Sequence, residues 1–231
     1  MNSSLQIARI VGTVALLAGC ASSKTGRGVA AEQTLSIRVY DKAELPAPVL
    51  RSAMMETGRL FLAAGIRISW EHLSAASPED QGTDMTAAEF HQLDRRPYLV
   101  IRLTDRIPVT VMPGALGYSL PFAHRGAHVV IFYDRVEALA RGVNVAGYVI
   151  LAHTIAHELG HVLLGSTEHT SGGLMQARWT PAAWRLAAAG LVTFDRAEIE
   201  RIRAGVSKLQ VPKQVPAQEL LLAASAVSKS P

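Results

Sequence analysis

The chain has 231 residues, enough for one ordinary domain with tails and for a core that needs no disulfide support. Its apolar fraction of 49% and charged fraction of 18% exclude a disordered chain, a collagen-like repeat and a coiled coil. A formal net charge of +4, spread without a lysine or arginine block, gives no footing for a nucleic-acid partner.

The first stretch, MNSSLQIARIVGTVALLAGCASS, has one cation at Arg9, an apolar run over residues 10–18, and then the chain's only cysteine. Residues 1–19 read as a secretory signal peptide, too short for a permanent bilayer span. Leu17, Ala18, Gly19 and Cys20 resemble the bacterial lipobox. That resemblance implies cleavage before Cys20 and lipidation of its sulfur, giving an exported cell-envelope lipoprotein attached to a membrane, with Ala21 compatible with an outer-membrane address. An uncleaved anchor or a cut near Ala21 are the alternatives. With Cys20 acylated, no thiol remains for a disulfide. Residues 20–33 are small, polar and glycine-bearing, a flexible tether of up to about 40 Å.

A domain is expected over residues 34–207. TLSIRVYD (34–41) alternates Leu35, Ile37 and Val39 with polar neighbours, the period of a half-buried strand. Pro46 and Pro48 open a helix running to Ala64, with Val49, Ala53, Leu60 and Ala64 on one face and Gly65 as its cap. IRISWEHL (66–73) and YLVIRL (98–103) are further strands, separated by a polar excursion to which no function attaches. Glycines punctuate GALGYSLP (114–121), which reads as a short edge segment. HVVIFYDRV (128–136) is nearly continuous in apolar residues and is placed inside the sheet. From Asn144, read as an N-cap, one helix of roughly 30 Å extends to Gly165. Short helices follow at PAAWRLAAA and RAEIERIRAGVSKL, and residues 208–231 read as a loose tail. No internal repeat of 20 to 50 residues is evident.

The chemistry concentrates in HELGHVLLGSTEH (157–169). Positions four apart on a helix lie one above the other, so His157 and His161 can reach one ion. Glu158, turned about 100° away, can face a water instead. Zinc with three protein ligands keeps a fourth position for water, whose pKa falls to about 7, and a carboxylate beside it can act as general base. A solvated charged face is the bland alternative. It sits poorly with the most apolar helix of the chain, where such groups are costly to bury without partners. His153 extends the stripe, but it lies about 12 Å from His161 along the axis, too far to share a tetrahedral ion. His72, His91, His124 and His128 show no ligand spacing and read as surface or structural.

This motif resembles that of the metzincin clan of zinc endopeptidases, H-E-x-x-H-x-x-G-x-x-H followed by a methionine turn. Here Gly165 comes one place late and His169 two places late. Met175 follows His157 by eighteen residues, the separation of matrixin-like metzincins. The resemblance implies a mixed α/β zincin fold: a twisted sheet, a long active-site helix, a Met-turn and C-terminal helices. It also implies one zinc ion on His157, His161 and His169, with Glu158 as base and Met175 as an apolar floor. Gly165 would end the helix with positive φ and turn the chain back. At the third ligand position Glu168 is the local competitor, and Glu198 or Glu200 would serve in a gluzincin-like arrangement. The clan's edge strand binds extended substrate, which points to Ala115, Leu116, Gly117 and Tyr118, with a plain structural loop as the alternative. Trp179 would line a specificity pocket, or else belong to the core. The implied activity is hydrolysis of polypeptide by a monomeric enzyme. An amidase-like or gluzincin-like zinc hydrolase, or a non-catalytic zinc-stabilised lipoprotein, are the rivals.

Overall fold

The structure is a computed structural model, and it describes residues 33–73, 97–105, 114–121 and 128–210. The signal region with Cys20, the tether up to residue 32, the excursion at 74–96 with His91, the segment holding His124, and the tail from 211 lie outside the described residues.

Among the described residues, five strands form one mixed sheet: β1 (Gln33–Asp41), β2 (Ile66–Leu73), β3 (Tyr98–Thr104), β4 (Gly117–Ser119) and β5 (Val129–Phe132), in the order β2-β1-β3-β5-β4. The pairs β1–β2, β1–β3 and β3–β5 are parallel, while β4 runs antiparallel to β5, with Tyr118 opposite Val130. Helix α1 (Ala47–Ala63) makes the crossover from β1 to β2. Prolines 46 and 48 sit where a helix start lacks N–H partners anyway, and Gly65 at φ 75 ends it by adopting the left-handed conformation.

Alternate strand residues, Leu35, Ile37 and Val39 with Leu99, Ile101, Leu103, Val129 and Ile131, join the helices in one apolar core. The opposite face of β1 is covered as well, a departure from the half-buried strand expected. Arg38 and Tyr40 are buried there, and the Arg38 guanidinium lies 3.7 Å from the Tyr98 ring centre and 2.7 Å from Glu71. A long polar side chain can thus close a sheet face while its charge stays paired.

Two boundaries differ from expectation. The strand in HVVIFYDRV stops at Phe132, and Tyr133 begins α2 (Tyr133–Val143), with Asp134 in its first turn. No glycine or proline marks that junction, so the apolar run concealed it. Asn144, expected as an N-cap, instead ends α2 in the left-handed conformation at φ 53. Asn tolerates that region because its short side chain can hydrogen-bond locally. The following helix, α3 (Gly147–Leu164), begins after Ala146.

Thirteen of the eighteen residues of α3 are buried, and α1 is joined to it by the Thr57 hydroxyl donating to the Ala152 carbonyl at 3.2 Å. Each aliphatic side chain buried there contributes about 1.5–3 kcal/mol, which offsets the desolvation of the polar groups the helix carries. Two further helices, α4 (Pro181–Ala188) and α5 (Arg196–Gln210), follow among the described residues. Gly205 allows α5 to cross α3 at a distance no larger residue permits.

Candidate metal centre

Gly165, at φ 60, closes α3, and its N–H reaches back to the carbonyls of His161 and Val162. The chain reverses there, and His169 returns over the last turns of α3. The Nε2 atoms of His157 and His161 lie 3.1 Å apart, and each is 3.3 Å from His169 Nε2. Among the described residues these three form the only cluster of metal-ligating side chains.

The tautomers follow from the other ring nitrogens. His157 Nδ1 meets the Leu174 carbonyl at 2.8 Å, and His161 Nδ1 meets the Ser166 carbonyl at 2.8 Å. A carbonyl only accepts, so both Nδ1 atoms carry the hydrogen and both Nε2 atoms present bare lone pairs. Lone pairs face each other across the triangle, a repulsive arrangement unless a cation sits among them. A tetrahedral ion with zinc–nitrogen bonds near 2.0–2.1 Å needs ligand nitrogens about 3.3 Å apart. The observed edges fit, and three nitrogens on one side leave a fourth position open. Burial pushes the His157 pKa down to about 4, against the favourable Leu174 bond and with help from the neighbouring imidazoles. His161 is also lowered, chiefly by burial. Neutral rings bind metal without first losing a proton.

The carbonyl that orients His157 belongs to the turn holding Met175, which is 1% exposed. Thr170 N–H donates to the Met175 carbonyl at 2.9 Å, and Leu174 N–H to that of Thr193 at 3.0 Å. Gly160 makes room for the methionine, since a Cβ there would stand 2.5 Å from the Met175 sulfur. Met175 thus lies against the backbone of α3 between the first two histidines.

Glu158 is buried and stands outside the imidazole cluster. Burial pushes its pKa up to about 7, opposed by a hydrogen bond from the Ser119 hydroxyl. Ser119 ends β4, so the edge strand and the carboxylate adjoin. Of the residues expected on that edge, Gly117 and Tyr118 belong to β4, whereas Ala115 and Leu116 precede it. Gly114, in the left-handed conformation at φ 86, comes before them. Leu116 still accepts from Phe132 N–H at 2.8 Å, and the Ala115 carbonyl is held by Arg135.

The carboxylates weighed as third ligand lie elsewhere. Glu168 is exposed, and its N–H bonds the Ser166 hydroxyl. Glu200 pairs with Arg196 on the surface. Glu198 is buried in the N-terminal turn of α5, where it bonds Asp195 N–H and Thr170, and among the described residues it is not part of the cluster of metal-ligating side chains. His153 is fully buried, its Nδ1 donating to the Val149 carbonyl, and its ring meets Trp179 edge-on at 5.9 Å. Trp179 stacks on buried Trp184 at 4.2 Å, so it belongs to an aromatic cluster one turn from His157. His128 is a structural histidine whose Nδ1 accepts from Val100 N–H, and His72 is exposed.

Sequence reasoning missed Ser119, Thr170 and the carbonyls of Ser166 and Leu174, and it weighed Glu198 only as a metal ligand, not as the partner of Thr170. Asp195 and Glu198 carried a legible signal, an acid at the N-cap and a Glu three residues on. The others depend on tertiary proximity alone.

No family model and no curated protein matches the chain. Among solved structures, it is similar to archaemetzincin (amzA) from Methanopyrus kandleri, with a TM-score of 0.48 and 16% identity over 79% of this chain and 99% of that one. It is also similar to metalloproteinase-II from Bacteroides fragilis, with a TM-score of 0.43 and 15% identity over 75% of this chain and 53% of that one.

Proposed function

We propose that the chain is a zinc-dependent peptidase of metzincin-like, matrixin-related design, exported and held at the cell envelope by a lipid on Cys20. The observation that carries the catalytic reading is the triangle of three Nε2 atoms, two of them fixed as bare lone pairs, beside a buried carboxylate that takes no part in it. His157, His161 and His169 would hold one zinc ion. When bound, zinc supplies Lewis acidity toward a carbonyl and makes water a nucleophile near neutral pH.

The chain's own groups supply the rest. Glu158 takes a proton at a carboxylate oxygen as the carbonyl is attacked and returns it to the leaving amine. Ser119 occupies part of that carboxylate's accepting capacity and so restricts its orientation. Among the described residues β4 is an outer strand of the sheet, and its main-chain groups are those to which an extended polypeptide would add as a further strand. Met175 supplies an apolar floor and carries no proton.

The test is the zinc-loaded protein with and without Glu158→Gln, assayed on unfolded polypeptide. The wild type should cleave, and the variant should keep its zinc yet lose about three orders of magnitude in kcat. Equal cleavage by both would remove Glu158 from the reaction. Zinc binding with no cleavage by either would leave a metal site without peptidase chemistry.

A further inference from the structure

His169 is the exposed member of the cluster and lies on a segment with no helix or strand of its own. A ligand so placed gains precision only from what fixes the backbone beside it. Its neighbour Thr170 is fixed three ways. The N–H donates to the Met175 carbonyl at 2.9 Å. The hydroxyl's single hydrogen faces both the Gly172 carbonyl at 2.8 Å and Glu198 Oε1 at 3.1 Å. The first two tie the loop to itself and to the Met-turn, and the third leaves it for a different helix.

Glu198 is 4% exposed, and its second oxygen accepts from Asp195 N–H at 2.8 Å. Its own N–H donates to Asp195 Oδ1 at 2.7 Å, so both ends of the residue are anchored in the first turn of α5. Such reciprocal bonding between N-cap and third helical residue is complete without any loop partner. One carboxylate oxygen is therefore left over from capping, and it points to the residue next to the third histidine.

We propose that Glu198 is the positioning residue of His169, carrying the rigidity of α5 through the Thr170 hydroxyl to the third metal ligand. This deepens the proposed zinc site and rests on it. The design accounts for a third histidine two places late: the longer path between Gly165 and His169 is steadied by a group from outside the loop. Groups hydrogen-bonded directly to a ligand change metal affinity by roughly 10- to 100-fold when removed, and Glu198, acting through the residue beside the ligand, is assigned the lower end of that range.

Zinc affinity is measured on the full chain by competition with a chelating dye. Glu198→Ala and Thr170→Val should each weaken it about tenfold, the double variant should be no weaker than either single one, and Thr170→Ser should bind as the wild type. In a His169→Ala background Glu198→Ala should have no further effect. Asp195→Ala separates positioning from plain helix stability. It removes the side-chain cap but keeps the backbone N–H on Glu198, so it should lower Tm while leaving zinc affinity within twofold. Variants that bind zinc as tightly as the wild type would overturn the proposal, as would an Asp195→Ala loss equal to that of Glu198→Ala. A wild-type chain that takes up no zinc would remove this inference and the proposed function together.

Discussion

Replacement of Gly205 by alanine sets two physical effects of opposite sign against each other. Gly205 lies inside α5, and helix propensity alone favours alanine by about 1 kcal/mol. A Cβ at that position, however, would stand 2.1 Å from the Leu163 carbonyl oxygen, 2.9 Å from its carbonyl carbon and 3.2 Å from its Cα. Tolerable carbon–oxygen contacts begin near 3.3 Å, so α5 must retreat from α3 by about 1 Å. The obstruction is backbone and cannot rotate away, which places the overpacking cost near the upper end of the usual range, about 3 kcal/mol. The net expectation is a loss of about 2 kcal/mol, or a Tm lower by about 4–8 °C for a domain of this size. Thermal unfolding of the wild type and Gly205→Ala, followed by far-ultraviolet circular dichroism, reads the sign directly. A higher Tm in the variant would mean that propensity prevails and that the close helix crossing is not as described.

Two further outcomes follow from single hydrogen bonds. On the proposed mechanism, Ser119→Ala should lower kcat on polypeptide about tenfold with KM within twofold, because it frees the Glu158 carboxylate without touching the three imidazoles; a change in KM alone would assign Ser119 to substrate binding instead. His128 accepts from Val100 N–H through Nδ1, and burial holds its pKa below the ordinary value. A depressed histidine contributes stability that is full above about pH 6.5 and is lost as pH falls through the folded value. Between pH 7 and pH 5, denaturant unfolding should therefore show the wild type losing more stability than His128→Asn, whose amide oxygen accepts at any pH; parallel curves would refute the role of Nδ1.

Much of the scaffold was legible because its signals are local. Pro46, Pro48 and Gly65 bracket α1, and the residues of IRISWEHL coincide with β2. The motif on α3 was legible for the same reason, since a spacing of four on a helix fixes which side chains share a face. The junctions failed where two elements meet without punctuation. Phe132 and Tyr133 are both buried, so apolar continuity concealed the change from strand to helix. Asn144 suits either end of a helix, and only its φ decides which.

At the site, sequence reasoning reached residues tied to the motif and missed those brought in by the fold. His169 was named because the motif resembles the metzincin signature, which calls for a histidine after the helix-ending glycine; spacing alone left Glu168 as a competitor. The bonds of Ser119 to Glu158 and of Glu198 to Thr170 join a strand that precedes α3 and a helix that follows it, and no periodicity links either to the motif. His153 belongs to the helical stripe, but burial and its Val149 bond separate it from the metal-ligating group.

The central claim is that three imidazoles converge on one cation through their Nε2 atoms. X-ray absorption at the zinc edge of the metal-loaded chain tests it most directly. The account predicts one zinc per chain with three imidazole nitrogens at about 2.0–2.1 Å and one further light atom. A shell with only two imidazoles, or one completed by carboxylates from the protein, would contradict it.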